Sequence, residues 1–265
     1  MAKKTLLQAK AVKKAAPKKS IKAAATKTVT AAAFIKEMKK HQSDEELEKI
    51  QRYFKSGEGE YSEGDKFMGI RMGTLFGIAK EFIDMEPTEL EKLLESDIHE
   101  VRTGALSIMD KQGRNNKTNE QRRKELYDLY MRRHDRINNW DLVDIAAIYV
   151  VGRYLNDKPK NVLYKLAKSK NMWQRRTAIV STAYFLKSRR QDDTYQIAEM
   201  LLHDKEDLLH KAAGGWIRQA GVSDRPRLLA FLDRHAATMP RTFLRYAIEH
   251  LNPTQKKYYM DMKSN

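Results

Sequence analysis

The stretch HEVRTGAL, residues 99–106, decides the fold because its pattern recurs along the chain. A basic residue stands three positions before a small one at Arg102, at Arg175 in WQRRTAI (residues 173–179) and at Lys211 in LHKAAGGW (residues 209–216). FLRYAI (residues 243–248) carries a looser copy. Arg102 and Arg175 are 73 residues apart, and Arg175 and Lys211 are 36 residues apart; 73 is about twice 36. A period near 36 places a missing copy near residue 138, where NNWDLVDIA begins.

Helical periodicity runs nearly throughout from residue 31, without the sustained β-branched alternation of a strand. The chain is therefore predicted to be all-α, with stacked antiparallel helix pairs that share one concave face. The basic residue before a small one resembles HEAT repeats, which implies a right-handed solenoid. The tetratricopeptide and ankyrin signatures are missing.

Charge divides the 265 residues into a tail and one domain. Residues 1–29 hold nine lysines and no acid, whereas the formal net charge of the whole chain is +16, so +7 belongs to the rest. We predict a flexible Lys/Ala tail over 1–29 that can bind phosphate and a single helical-repeat domain over 30–265. A solubilising tail and an organellar presequence are the alternatives for 1–29.

Several classes of protein and site are disfavoured. No long apolar run or secretory signal occurs, which predicts a cytoplasmic protein without a membrane partner. The absence of cysteine removes disulfides and thiolate catalysis. The seven histidines show no metal-binding spacing, so we expect no metal site; they fit surface or packing positions.

Aromatic and basic residues fall at equivalent positions of successive repeats: Trp140, Trp173, Arg175, Arg176, Lys211 and Trp216. Stacked repeats would line these side chains along one face, where cations suit phosphates and flat rings suit sugars or bases. The alternative places the tryptophans in the repeat core and the basic side chains on a solvated rim. The alignment of these aromatic and basic residues, together with the basic tail, favours a groove that binds nucleic acid over this alternative.

A carboxylate in such a groove needs an explanation. Asn138 or Asn139 suits a helix N-cap, and Asp141 in the first turn suits the helix dipole, which makes Asp141 structural. Asp144 shares a stripe with Trp140, four residues earlier, while Leu142, Ile145 and Tyr149 are predicted to face the core.

Like-charge repulsion makes Asp144 unfavourable near phosphates unless a positive charge develops beside it. Cleavage of an N-glycosidic bond supplies such a charge, because its transition state has oxocarbenium character on the sugar. A base that is already cationic leaves as a neutral group and needs no general acid. One carboxylate is then sufficient.

Five motifs together resemble the AlkD-type DNA alkylation-repair glycosylases, a HEAT-like repeat family. They are KFMGIRMGTLFGIAKEF, NNWDLVD, MWQRRTAIVSTAYFL, HKAAGGWIRQAG and MPRTFLRYAIEHL, in order from about residue 34 to the end. The resemblance implies a glycosylase that excises cationic N-alkylated purines, such as 3-methyladenine and 7-methylguanine, from duplex DNA. It implies an abasic product, base excision repair, and a lesion processed without a closed pocket. We expect a monomer without a cofactor, associated with the nucleoid through DNA.

The resemblance also assigns roles to residues. It implies that Asp144 is the catalytic carboxylate, that Trp140 packs against the sugar of the lesion nucleotide, and that Arg176 lies beside the DNA backbone. Arg175 is expected to be the structural basic residue of its repeat. Tyr53 and Arg71 match DNA-contacting positions.

The family's Lys-Ala-x-Gly-Trp reads KAAGGW here, so the second groove tryptophan, Trp216, arrives one residue late. A one-residue shift rotates a helical side chain by about 100°. We expect the adjacent Gly214 and Gly215 to let the helix rewind and return Trp216 to the groove; otherwise Trp216 belongs to the core.

Two other classes of protein remain open. A non-catalytic repeat scaffold for nucleic acid or protein would use the same face but would not need Asp144 beside Trp140. An RNA-binding repeat protein would read one base per repeat with changing polar side chains, a series that is missing here.

Overall fold

A computed structural model describes residues 29–262, so the predicted tail lies outside the described residues except for Val29. Helices make up nearly all of the regular structure, confirming the all-α class; over 29–262 the only β pairing is an isolated bridge between Lys66 and Ile98. The helices are α1 (Ala31–Lys39), α2 (Asp44–Phe54), α3 (Met72–Glu81), α4 (Pro87–Leu94), α5 (His99–Arg114), α6 (Glu120–Arg132), α7 (Trp140–Ala146), α8 (Asn161–Ala167), α9 (Met172–Ser181), α10 (Ala183–Leu186), α11 (Asp192–Met200), α12 (Asp207–Ser223), α13 (Arg225–His235), α14 (Arg241–Ala247) and α15 (Pro253–Asp261).

Short polar side chains begin many of these helices, as the sequence signals predict. Each accepts a hydrogen bond from a backbone N–H of the first turn, which would otherwise lack a partner. These caps are Thr30, Ser43, Asn119, Asn139, Asn171, Asp224 and Asn252.

One layer of the fold consists of α3, α5, α7, α9, α12 and α14, each packed against the next. From α5 onward, these helices begin at residues 99, 140, 172, 207 and 241, which are separated by 41, 32, 35 and 34 residues. These intervals scatter around the period of 36 and confirm a helix at the expected extra copy. The flanking helices α4, α8 and α11 pack against α5, α9 and α12.

The recurring basic residue has a structural role at the start of its helix. The Nη1 atoms of Arg102 and Arg175 each donate to a backbone carbonyl six residues earlier, that of Ser96 or Ser169, at 2.9 Å. In α12 this contact belongs to His210, whose Nε2 lies 2.6 Å from the carbonyl oxygen of Asp204. In α12 the structural equivalent of Arg102 and Arg175 is therefore His210 and not Lys211, which pairs with Asp207.

The apolar core is continuous through the described helices. Aromatic rings fill it at Phe34, Phe82, Tyr130, Phe185 and Phe231, which are almost completely buried. None of the described helices has the length and apolarity needed to cross a bilayer.

Candidate nucleic-acid interface and carboxylate site

Helix α7 carries the candidate carboxylate and changes its pitch immediately afterwards. Asn139 caps it by accepting from the N–H of Trp140 at 2.8 Å, as predicted. Residues 147–152 then form a π-helix that ends at Gly152. A Cβ on Gly152 would lie 2.2 Å from the carbonyl oxygen of Ser181, so only glycine permits this close approach of the π turn to α9.

The buried face of this segment differs from the predicted one. Leu142 is buried as expected, but Ile145 and Tyr149 are only partly buried. Val143, Ala146, Ala147 and Val150 face the core instead. Ile145 precedes the π-helix, and the buried residues keep the α-helical spacing i, i+3, i+4, i+7. The core-facing stripe is therefore rotated by about one residue from the predicted one.

Asp144 is held by a bidentate ion pair. The Nε and Nη2 atoms of Arg176 donate to its two carboxylate oxygens at 2.9 and 2.7 Å, and Nη1 donates to the carbonyl of Leu208 at 2.6 Å. The Arg176 side chain is 8% exposed, whereas that of Asp144 is 38% exposed. The arginine is thus enclosed between α7, α9 and α12 and fixes a carboxylate that remains open to the groove.

Trp140 lies beside Asp144 within an aromatic cluster. Its ring stacks near that of Phe54, with centroids 5.8 Å apart, and its Nε1 donates to the hydroxyl of Tyr61 at 3.3 Å. The ring of Tyr53 meets it edge-on at 6.0 Å, and Tyr53 itself is 64% exposed. These contacts hold Trp140 in one orientation while leaving part of its surface accessible.

A cavity of about 580 Å³ joins the two predicted tryptophan positions. Trp140, Asp144, Arg176 and Trp216 all line it. Other lining side chains not predicted for this site include Tyr61, Arg218, Gln219 and Tyr246, beside Lys211, which was placed on this face. Arg218 follows Lys211 by seven residues, two helical turns, so its place on the same face of α12 could have been predicted.

Trp216 reaches this cavity without any rewinding of its helix. α12 is one uninterrupted α-helix over Asp207–Ser223, so the predicted distortion at the glycines is wrong. Gly214 has a packing purpose instead, because a Cβ there would lie 2.5 Å from the carbonyl oxygen of Phe243 in α14. Gly215 has no atom within 4 Å of its Cβ position and lines the cavity.

Two other residues of the predicted aromatic and basic row lie away from the cavity. Trp173 is 9% exposed and packs in the core, so its placement on the concave face is wrong. Arg175 pairs with both carboxylate oxygens of Asp204 at 2.6 and 2.9 Å. This contact agrees with the assignment of Arg175 as the structural basic residue of its repeat.

Tyr53 and Arg71 lie on the other side of Trp140, where a second cavity, of about 730 Å³, begins. The Arg71 guanidinium donates to Glu46 at 2.8 Å, with its side chain 68% exposed. The two cavities share Tyr53, Trp140 and Asp144. Open cavities therefore flank the carboxylate on both sides.

A buried ionic network holds the first turn of α7. Asp141 is 5% exposed, and its carboxylate lies 2.8 Å from Nε2 of the fully buried His99. His99 Nδ1 lies 3.5 Å from Asp65, which also accepts from Arg102 at 2.8 Å. Asp141 is structural, as predicted, but through this ion pair and not chiefly through the helix dipole. No local pattern signals a partner 42 residues away.

The charges in this network reinforce one another. Burial opposes the charged form of His99, but hydrogen bonding and attraction from Asp141 and Asp65 outweigh it and raise the pKa of His99 to about 9. Burial likewise opposes ionisation of Asp65, yet His99 and Arg102 lower the pKa of Asp65 to about 2. At neutral pH the network is therefore an imidazolium between two carboxylates.

Comparisons with known proteins agree with this architecture. A family described as DNA alkylation repair enzyme matches residues 34–251. A solved structure, a predicted DNA alkylation repair enzyme from Enterococcus faecalis, is similar with a TM-score of 0.62 at 16% identity, covering 80% of this chain and 98% of that one. The search of curated proteins finds no match. Since the family match spans most of the chain, including every residue of the candidate site, the protein belongs to the DNA alkylation repair enzyme family.

Proposed function

We propose that the protein is a DNA glycosylase that hydrolyses the N-glycosidic bond of cationic N-alkylated purines, such as 3-methyladenine and 7-methylguanine, in duplex DNA. It leaves an abasic site and initiates base excision repair. It acts as a monomeric HEAT-like solenoid that holds duplex DNA along its concave face.

One observation carries this proposal: an oriented, partly exposed carboxylate shares a cavity with two tryptophans and two cationic side chains. Asp144 lines this cavity with Trp140 and Trp216, and Lys211 and Arg218 lie on the same wall. The cations suit the phosphates that flank a lesion. The tryptophans suit the apolar faces of its sugar, and Asp144 suits the charge that develops on that sugar.

The reaction balances with a single carboxylate. As the bond between C1′ and the purine nitrogen breaks, its electron pair leaves with the base and cancels the formal positive charge of the alkylated ring. Asp144 stabilises the sugar cation that remains and orients a water, whose oxygen bonds to C1′. The proton of that water passes to the Asp144 carboxylate and then to solvent.

Arg176 is a positioning residue in this mechanism. Its guanidinium holds both oxygens of Asp144, is itself almost enclosed, and is anchored by the carbonyl of Leu208. This geometry favours orientation of the carboxylate over the contact with the DNA backbone that the family resemblance implied. Tyr53 and Arg71 are left as candidate contacts at the exposed side of Trp140.

The test is excision from a duplex that contains one 7-methylguanine, followed by alkaline cleavage at abasic sites. Asp144→Asn should retain fold and affinity for DNA but lose excision by about 10²-fold or more, as expected for loss of a group that stabilises developing charge. Asp204→Asn is the matched control, because Asp204 forms the same bidentate pair with Arg175 away from the cavity. Undiminished excision by Asp144→Asn contradicts the mechanism, and DNA binding by the wild-type protein without any excision supports a scaffold.

A further inference from the structure

A third cavity, of about 360 Å³, adjoins the cavity of about 580 Å³ that holds the candidate carboxylate. The two cavities share Trp216 and Gln219. The rest of its wall comes from the C-terminal parts of α5 and α12, from α10 and from the π-helix, and it includes Arg114, Tyr149 and Lys187. We call these three residues the Tyr149 cluster.

Two cations lie on the single ring of Tyr149. The Arg114 guanidinium lies 3.9 Å from the ring centroid and the Lys187 ammonium 4.2 Å from it, and the ammonium also donates to the Tyr149 hydroxyl. The Nε of Arg114 donates to the largely buried Asp110 at 2.6 Å. The two cations contribute +2 and Asp110 contributes −1, so the wall of the cavity keeps a net charge of +1 here.

The backbone around the cluster is held in place by the fold itself. Tyr149 lies in the π-helix over 147–152, and short π segments are frequent at functional sites. A Cβ on Gly113 would lie 2.9 Å from the carbonyl oxygen of Tyr149, so glycine permits the close approach of α5 to the π-helix. Arg153 fixes the same junction, because its Nη1 donates to the carbonyls of Gly113 and Arg114 at 2.8 and 2.9 Å.

We propose that the Tyr149 cluster binds a phosphate group of the DNA strand opposite the lesion. This inference rests on the proposed function and goes beyond it, since it assigns a site to the complementary strand. Two neighbouring cations repel each other, and a phosphodiester between them removes this repulsion. The guanidinium, the ammonium and the Tyr149 hydroxyl, which accepts from Lys187 and keeps its own proton to donate, supply hydrogen bonds to the phosphate oxygens.

The distance from Asp144 favours the complementary strand over the lesion strand. Tyr149 follows Asp144 by five residues, which corresponds to about 7–8 Å along a helix axis. The minor groove of B-DNA is about 6 Å wide, so a duplex with its lesion sugar at Asp144 brings the phosphates across this groove to the cluster. Lys211 and Arg218 line the cavity of Asp144 itself and suit the phosphates that flank the lesion.

Lys187→Gln tests the site, because Lys187 is exposed and the substitution removes one charge. Lys158→Gln is the matched control, since the Lys158 ammonium lies 4.1 Å from the ring centroid of Tyr154 but pairs with Glu120. The duplex carries one tetrahydrofuran, an abasic analogue whose sugar ring has no base to excise. At about 0.1 M salt, Lys187→Gln should bind it about fivefold or more weakly, and the slope of log K against log salt should fall by about 0.9 in magnitude. Lys158→Gln should match the wild type in both.

Neutral methylphosphonate linkages identify the strand. They replace a few consecutive phosphates in the complementary strand across the minor groove from the analogue or, in a second duplex, in the lesion strand. We expect the complementary-strand replacement to weaken wild-type binding about fivefold or more but Lys187→Gln by less than about twofold, because the two changes remove the same contact. The lesion-strand replacement should weaken both proteins equally.

An unchanged salt slope for Lys187→Gln overturns the phosphate site. Equal weakening of both proteins by the complementary-strand replacement, or coupling with the lesion-strand linkages alone, overturns the assignment to the complementary strand. Excision of 7-methylguanine by the wild type is measured in parallel to separate the two proposals. Excision with an unchanged slope retains the glycosylase and removes the phosphate site, whereas a reduced slope without excision retains the phosphate site and removes the glycosylase.

Discussion

Replacing Arg176 with methionine tests whether the enclosed guanidinium orients Asp144 or contacts DNA. The change removes two charge-assisted hydrogen bonds to Asp144 and one to the carbonyl of Leu208. Such bonds contribute about 1.5–3 kcal/mol each when fully enclosed. Because the Asp144 side chain is 38% exposed, water replaces part of the loss, and we expect the free energy of unfolding to fall by about 2–3 kcal/mol.

The effect on catalysis should exceed the effect on folding. Without Arg176, the Asp144 carboxylate is free to change rotamer, and a displacement of about 1 Å costs on the order of 10²-fold in rate. Single-turnover excision, corrected for the folded fraction by urea denaturation, should therefore fall by about 10²-fold. The salt dependence of duplex affinity should stay the same, whereas loss of a phosphate contact would reduce the slope of log K against log salt by about 0.9.

Arg175→Met is the matched control, since Arg175 is adjacent and also pairs bidentately with an aspartate. Its partner Asp204 is only 9% exposed, so breaking this pair should cost more stability, about 3–5 kcal/mol. Excision by the folded fraction should be unaffected. Equal losses of excision in the two variants would refute the positioning role of Arg176, and a reduced salt slope for Arg176→Met alone would assign it to the DNA backbone.

Three other predictions follow from the site and its support. Trp216→Ala should lower excision with little change in melting temperature, because the ring lines the cavity; a large fall in melting temperature with normal activity of the folded fraction would place it in the core. Gly214→Ala should destabilise the fold by about 1–3 kcal/mol through a clash with the α14 backbone, whereas Gly215→Ala, which meets no atom, should stabilise it by up to about 1 kcal/mol in urea denaturation. The His99 pKa of about 9 lies above its ordinary value of 6.5, so its contribution to stability is complete below pH 6.5 and is lost as the pH rises through about 9. His99→Gln should flatten this alkaline fall in stability, and an unchanged fall would contradict the ionic network.

The sequence was sufficient to predict the helices because their signals are local. Caps such as Ser43 and Asn119 lie within three residues of the N–H groups that they bind. The stretch 172–188 shows the limit of such signals. Its helical periodicity is unbroken and predicts one helix, but the structure divides it at Thr182, where the hydroxyls of Ser181 and Thr182 donate to carbonyls of the preceding turn. These residues are common in helices, so their presence alone does not predict a break.

The candidate site was predictable only where its members share one helix. Trp140 and Asp144 could be placed on a common face because they are four residues apart. The choice between Arg175 and Arg176 required the structure, since adjacent residues point about 100° apart and only tertiary packing decides which one meets Asp144. The family resemblance placed Arg176 in the groove, and Arg176 lines the cavity, but its pairing with the carboxylate spans 32 residues and has no local signal.

The network around His99 explains why Asp141 and Asp144 differ although both lie within the first five residues of α7. Asp141 points into the protein, where it pairs with the fully buried imidazole of His99. The other ring nitrogen of His99 faces Asp65, which is itself paired with Arg102. Asp144 lies three residues later, where it pairs with Arg176 and water still reaches the carboxylate. A buried carboxylate paired with His99 cannot approach a substrate, whereas an oriented and accessible one can. The same helix thus uses one aspartate to fix its N-terminus and the other to face the groove.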